Sequence, residues 1–330
     1  MPDILYDFDP DGDVTFIIEF APKFLPHNLS DLDCSLLSKP YTRDKSSSLV
    51  QPAKSADSPS LHIRASSKHL MLASAQFKRT FQNGFQEGNE LRSVGHVKIP
   101  ICGWEPVPFL LLMAIFHGQT HLVPKSPHFK WLTEMAILVD YYECYRAIAI
   151  LSGLWTRDFE KKQLTLAEET PMEWLCITWV FRRNYAFSLV TGRIQLESEG
   201  KIMTNHLPIP AGIIDKMQKA KDIYIGKAFD SLHKLLDHLR YDPPVCSNEC
   251  NLMRLGILDR GMHKLGILSA KPELPITECS FMGLRTECQN MTNSYTFHRC
   301  ELIPEVLKEL NNAYARLDRG LALGSFCHLR

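Results

Sequence analysis

The stretch Leu61 to Gly88, LHIRASSKHLMLASAQFKRTFQNGFQEG, joins a strand period directly to a helix period. Leu61-His62-Ile63-Arg64-Ala65 alternates apolar and polar side chains, as a half-buried strand does. Ser66 or Ser67 then stands at a helix cap position, where a short hydroxyl side chain can accept from a free first-turn N–H. Leu70, Ala73 and Phe77 follow at steps of three and four, and Phe81 extends the stripe. Asn83-Gly84 supplies residues that tolerate a left-handed helix end. The pattern predicts one helix packed on a small sheet.

Two further strand patterns flank this stretch. Val14 to Phe20, VTFIIEF, is rich in β-branched and aromatic residues and follows the turn formers Asp11-Gly12-Asp13. His96 to Ile101 reads as another strand, closed by Pro100 and the turn Cys102-Gly103. Residues 1–10 are acidic and read as an N-terminal tail. Residues 21–60 lose any apolar period. Ser46-Ser47-Ser48, several prolines and scattered lysines bury too little to offset the entropy of ordering, which predicts a disordered insert hanging from a hairpin.

Helical periods take over beyond Gly103. Pro106 and Pro108 can open a helix without losing a needed donor, and Phe109, Leu112, Met113 and Phe116 form its apolar face. A second helix runs from about Phe129 to Val139, and a third carries Cys144, Ala147, Ile148 and Leu151. Trp174, Ile177 and Phe181 begin another behind Pro171. The longest candidate spans Pro210 to Asp242, where Ile225, Phe229, Leu232, Leu236 and Leu239 make a seam for a partner helix within a bundle. Pro243-Pro244 stops it. Leu252, Leu255, Met262 and Leu265 predict one more helix, and Val306, Leu310, Ala313 and Leu317 another. From about Ser269 to Arg299 no period emerges, which reads as a partly mobile connection.

Size and charge narrow the function classes. A chain of 330 residues has room for two domains, and 45% hydrophobic with 22% charged residues is the balance of a folded soluble protein. Thirty-seven basic residues offset 37 acidic ones, so no global field draws the chain to nucleic acid or anionic lipid. The pairs Lys161-Lys162 and Arg182-Arg183 read as solvated helix faces. Apolar runs such as residues 108–116 fall short of the roughly 20 residues that a membrane span requires. The acidic start lacks a secretory pattern, so an intracellular setting, cytoplasmic or nuclear, is expected. The ten cysteines are then thiols, and Asn28-Leu29-Ser30 and Asn290-Met291-Thr292 are accidental glycosylation patterns.

Motifs for chemistry are sparse. Gly256, Gly261 and Gly266 are too widely spaced for a phosphate-cradling loop. No G-x-S-x-G elbow occurs, and no spacing singles out a catalytic pair among the histidines and carboxylates. Cys246, Cys250, Cys279, Cys288, His298 and Cys300 crowd one region and are the donor types zinc prefers. Only Cys246-x-x-x-Cys250 and His298-x-Cys300 approach a ligand spacing, and buried structural thiols are the competing reading.

The order strand, strand, capped helix, strand, helical cluster resembles a BTB/POZ domain over Asp11 to about Leu154. Gly12-Asp13-Val14 is similar to the family's opening, and SSKHLMLASAQFKRTFQNGFQEG to its first helix and following turn, with Ser74 and Phe77 at positions where members usually carry Ser and Phe. PVPFLLLMAIFHGQT is similar to a later helical block, and WLTEMAILVDYYECYRAI to the block near the domain's end, with Tyr142 and Cys144 in register. Gly153 to Trp155, MEWLCITWVF, a long helix and a CxxxC element together resemble a group of fungal BTB-domain proteins. Ser66-Ser67 stands where many animal members have His-Lys, so a charged-pocket role of that pair does not carry over. The insert beside the first strand weakens the implied homodimer.

The expected fold class is therefore α+β, a BTB/POZ-like small sheet with a helical cluster over residues 11–154, followed by an all-α region over residues 155–330. The resemblance implies protein association, as a homodimer or by docking a partner, and the family also serves as adaptors for cullin-type ubiquitin-ligase scaffolds or in transcriptional regulators. Phe16, Ile18, Leu70 and Phe77 are the candidate interaction positions, with core packing as the competing reading. No catalytic residue, cofactor, nucleic acid or membrane is expected. The alternative is a metal-binding or enzymatic C-terminal domain carried on the same scaffold.

Overall fold

The computed structural model describes residues 3–37, 59–157, 170–269, 276, 279–293 and 303–329. The chain divides into two compact units, Met1–Glu169 and Thr170–Arg330, so the division falls beyond the expected boundary at Leu154. The class is α+β, with a small sheet in the first unit and, among the described residues, only helices in the second.

The sheet has four strands, β1 (Ile4–Asp7), β2 (Val14–Ile18), β3 (Leu61–Ala65) and β4 (Val97–Pro100), in the spatial order β1-β3-β2-β4. β2 and β3 are antiparallel, with Val14 opposite Ala65 and Phe16 opposite Ile63. β1 runs parallel to β3, and β4 parallel to β2. The insert thus hangs from a paired hairpin, as expected. Gly12 permits the approach, because a Cβ there would lie 2.7 Å from the Ala65 carbonyl oxygen.

Two sequence expectations are corrected at this end. Residues 1–10 are not merely a tail, since Ile4 to Asp7 form an edge strand whose Ile4 and Tyr6 are buried. The Tyr6 hydroxyl donates to the Pro26 carbonyl at 2.6 Å, and burial raises its pKa. The first part of the presumed disordered insert is ordered as well: a 3-10 turn at Leu29–Asp31 and a short helix α1 (Cys34–Leu37) follow, with Leu25, Leu32 and Leu37 buried. The rest of the insert, residues 38–58, lies outside the described residues.

The predicted single helix after β3 is two helices, α2 (Ser67–Ala73) and α3 (Ala75–Gln82), broken at Ser74, whose backbone is extended. A further helix, α4 (Gln86–Val94), packs its Gly88 on α3, where a Cβ would meet the Phe81 carbonyl oxygen at 2.5 Å. α5 (Pro106–Phe116) is buried along its whole length, so its sequence is apolar all round and carries no amphipathic stripe. α6 (Phe129–Tyr141) and α7 (Tyr145–Trp155) complete the unit.

The second unit contains α8 (Pro171–Val180), α9 (Asn184–Glu197), α10 (Ala211–Tyr241), α11 (Asn248–Lys264), α12 (Phe281–Asn293) and α13 (Pro304–Asp318), then a 3-10 turn at Leu323–Leu329. The seam of α10 is buried as read, with Ile225, Phe229 and Leu232 packing among Leu258, Met262, Phe281, Leu284, Val306 and Leu310. α11 buries Met262 as read, with Leu255 and Leu265 half-buried against the same core, but Leu252 is exposed. Cys250, Leu258 and Gly261 are also buried, and Gly261 lets Met291 approach where a side chain would stand. The connection read as mobile contains α12. Arg182 and Arg183 lie in the turn between α8 and α9, Arg182 with φ +54°, rather than on a helix face. Lys161-Lys162 lies outside the described residues. Among the described residues no helix is long and apolar enough to cross a membrane.

Candidate interaction site

Two polar clasps and an aromatic cluster fix the first unit's surface. The first clasp closes the strand-to-helix junction. Neither Ser66 nor Ser67 caps α2 with its own side chain. Asp13, just before β2, does so from a distance: its carboxylate accepts the Ser67 N–H and the Ser67 hydroxyl, both at 2.7 Å. An anion at a helix N-terminus satisfies a free donor and opposes the helix dipole. His117, at the end of α5, completes the junction. Its Nε2 accepts the Ser66 N–H at 3.0 Å, so Nδ1 carries the proton and donates to the Met113 carbonyl at 2.8 Å. The ring stacks on Phe8 and lies 5.1 Å from the His69 ring. Burial, with a smaller contribution from His69, holds its pKa below the usual histidine value.

The second clasp explains the break at Ser74. The Ser74 hydroxyl accepts the Phe77 N–H at 3.1 Å, capping α3, and donates to the Tyr142 carbonyl at 2.5 Å. One side chain thereby ends α2, starts α3 and ties both to the turn between α6 and α7. Glu143 in that turn has φ +50° and is gripped by Arg79, which forms a two-pronged pair with its carboxylate. The guanidinium lowers the Glu143 pKa. The neighbouring Cys144 is buried, and desolvation raises its thiol pKa.

The four candidate interaction residues belong to the core. Phe16 and Leu70 are wholly buried, and Ile18 and Phe77 nearly so. Phe16 and Phe77 are brought together, their ring centroids 5.6 Å apart, and Phe16 meets Phe109 edge-on at 5.3 Å. Phe77 stacks on Tyr142 at 4.7 Å. The competing reading therefore holds for these positions: in the folded unit their side chains have no surface to offer.

What the surface does offer is an edge. β1 is the terminal strand of the sheet. The Ile4 N–H donates to the Ser60 carbonyl at 2.9 Å and the Phe8 N–H to the Arg64 carbonyl at 3.0 Å, so the even-numbered residues face β3. By alternation the N–H groups of Leu5 and Asp7 point away from the sheet. The Leu5 side chain is 50% exposed beside them. Sequence reasoning missed this strand, although Ile4, Tyr6 and Phe8 carry the period of two that marks it. Its brevity and acidic surroundings masked the signal.

In the second unit the described cysteines do not assemble a metal site. Among the described residues no three His, Cys, Asp or Glu side chains gather as metal ligands. Cys246 is exposed and Cys250 buried at the start of α11, while burial pushes the Cys288 thiol up to about 12. A metal ligand must be a thiolate, which that environment disfavours. His298 and Cys300 lie outside the described residues. The conspicuous ionisable group here is Lys221 on α10, missed from sequence because it falls among the polar positions of the helix. Its wholly buried ammonium donates to the Ser198 and Gly200 carbonyls at 3.0 and 2.7 Å, just beyond the C-terminus of α9. Desolvation lowers its pKa. Asp222 beside it accepts the Ile276 N–H at 3.2 Å and the Gln218 amide at 2.9 Å, so this polar set ties backbone segments to α10. A groove between α12 and α13 is lined by Thr292, Pro304, Leu307, Lys308, Asn311 and Asn312, and among the described residues Lys308 is its one ionisable lining residue.

Comparison with protein-family models, curated proteins and solved structures finds no match to this chain.

Proposed function

We propose that this chain is a protein-association module, with a BTB/POZ-like first unit that binds a second copy or a partner protein. The observation that carries the reading is the open edge of β1, where two outward N–H groups and the exposed Leu5 offer a row for strand addition. Support for the family resemblance comes from the second clasp. Of the positions that match the family pattern, Ser74, Phe77 and Tyr142 form one interlocked set of contacts, and Cys144, two residues beyond Tyr142, is buried. The reading includes an intracellular setting, cytoplasmic or nuclear. Docking on a cullin-type scaffold and a part in transcriptional regulation are the two finer roles the resemblance suggests.

The test is affinity purification of the full chain, with its mass followed by light scattering across micromolar concentrations. The expected result is a species heavier than the monomer, or recovery of a partner, that is lost on Leu5→Lys. Recovery of a cullin-type scaffold favours the adaptor role, and recovery of DNA-bound regulators favours the other. A strictly monomeric chain that recovers nothing defeats the proposal.

A further inference from the structure

The two edges of the sheet are not alike. β4 ends the sheet on one side, where the Val97 N–H donates to the Asp13 carbonyl and the Ile101 N–H to the Ile17 carbonyl, so Lys98 and Pro100 turn their backbone outward. Both side chains are exposed. A lysine and a proline on an edge deter strand addition, the proline because it has no N–H to give. β1 ends the sheet on the other side and has neither residue. Its outward backbone belongs to Leu5 and Asp7, both with exposed side chains. Among the described residues the Asp7 carboxylate has no ion pair, and Arg64, its neighbour on β3, directs its Nε–H to the Gly12 carbonyl at 3.1 Å instead. Residues 3–13 carry five aspartates and no Lys or Arg, so the strand and the turn after it bear only negative side-chain charge.

We propose that the edge of β1 takes an extended segment of a partner protein, paired antiparallel, with Lys or Arg opposite Asp7 and an apolar residue opposite Leu5. The inference rests on the association reading above and names its occupant. The open N–H and C=O groups require a strand, and the side chains beside them select its charge. A second copy fits less well by either of its edges. Pairing two β1 strands about Leu5 sets Asp7 against the second copy's Asp3, and pairing them about Tyr6 sets it against the second copy's Leu5, so neither register supplies a cation. The second copy's β4 would bring Lys98 opposite Asp7, but Pro100 would then stand opposite Leu5 and leave the Leu5 carbonyl without a donor. A foreign strand with an N–H at each position meets both requirements.

The probe is a fluorescein-labelled peptide of about eight residues, capped at both ends, whose threonines alternate with lysine, leucine and lysine. One matched peptide carries glutamates for the lysines, and another an N-methylated leucine. Anisotropy titration with the full chain is expected to show the lysine peptide binding at least about tenfold more tightly than the glutamate peptide, with an affinity that falls as salt rises. N-methylation weakens it by about tenfold, because a ladder bond is lost while the charge is kept. Asp7→Lys reverses the preference toward the glutamate peptide, and since Asp7 is exposed, an unchanged thermal melt confirms that this variant is folded. Equal or absent binding of the two charged peptides overturns the proposal, as does a preference that survives Asp7→Lys. An N-methylated peptide as tight as its parent overturns it too, by showing charge attraction without strand addition. If the Leu5 and Asp7 amides instead slow their hydrogen exchange as the chain alone is concentrated, and the lysine peptide does not compete, a second copy is the occupant: this inference falls while the association reading stands. A chain that stays monomeric and recovers no partner removes both.

Discussion

Polar clasps and close glycine contacts occur in both units, but the contacts that leave least room differ between them. In the first, a polar side chain from one element finishes the end of another: Asp13 reaches α2, His117 reaches Ser66, and Ser74 joins α3 to Tyr142. In the second, beside the Lys221 clasp, the tightest contacts fall at positions with no side chain. Gly320 has φ +63°, and a Cβ there would lie 1.8 Å from the Ser188 carbonyl oxygen of α9. Gly192 on α9 lies against the Asp318 carbonyl at the end of α13, where a Cβ would come within 2.6 Å. Leu321 then fastens to α9 through the Thr191 and Ser188 hydroxyls, at 2.8 and 3.0 Å. A hydrogen-bonded clasp can lose one bond and relax. A backbone contact without room for a methyl group cannot.

That contrast orders the expected effects of substitution. Gly320→Ala combines a forbidden backbone conformation with a clash against main chain, and is expected to cost about 3 kcal/mol or more. Hydrogen exchange resolved by peptide should show the loss across α9 and α13 while the sheet of the first unit is unchanged. A cost below about 1 kcal/mol would mean that α9 and α13 are not so closely joined.

Lys221→Met comes next. The methionine keeps much of the stem's packing but leaves the Ser198 and Gly200 carbonyls without their donor, for an expected loss of about 1–3 kcal/mol in chemical denaturation. A variant as stable as the parent would show that water replaces the ammonium there. In the first unit, Ser74→Ala removes a cap and a buried donor together, and about 1–2 kcal/mol is expected. The sharper readout is local, since amides at the start of α3 and at the turn after Tyr142 should lose protection together. Independent losses would break the claim that one hydroxyl couples them.

The smallest effect is a pH dependence, and it belongs to the first unit. His117 must be neutral for Nε2 to accept the Ser66 N–H, and its folded pKa lies below the ordinary value of 6.5. The unfolded chain therefore binds this proton more readily. The stability that the neutral ring contributes is complete above about pH 6.5 and is lost as pH falls through the lower folded value. His117→Gln should flatten that part of the stability profile, measured by denaturation between about pH 7 and pH 5. A parent profile that is already flat there would contradict the assigned ring state.

Local periodicity made part of this architecture legible. Leu61 to Ala65 form the strand that their alternation predicts, and it pairs with the strand begun at Val14. Val306, Leu310, Ala313 and Leu317 are all buried, as their spacing requires. These signals succeed because one face of a regular element is buried by whatever lies opposite. The failures have a different origin. The break at Ser74 depends on a carbonyl 68 positions along the chain, and the cap of α2 on a carboxylate 54 positions earlier. On α11 the close approach of Met291 to Gly261 involves two separate helices, and Leu252, at the other end of the predicted stripe, stays in solvent. For the candidate site, the same apolarity that marked Phe16, Ile18, Leu70 and Phe77 as possible contacts is what buries them. The exposed edge at Leu5 is visible only once the inward faces have been assigned.

The most direct test of the association reading is hydrogen exchange at the Leu5 and Asp7 amides of the full chain, followed as concentration rises or as a captured partner is added. Both amides should exchange quickly in the free chain and slow markedly on association, while those of Tyr6 and Phe8, already bonded to β3, change little. Association that proceeds with Leu5 and Asp7 still exchanging at their free rate would contradict the account.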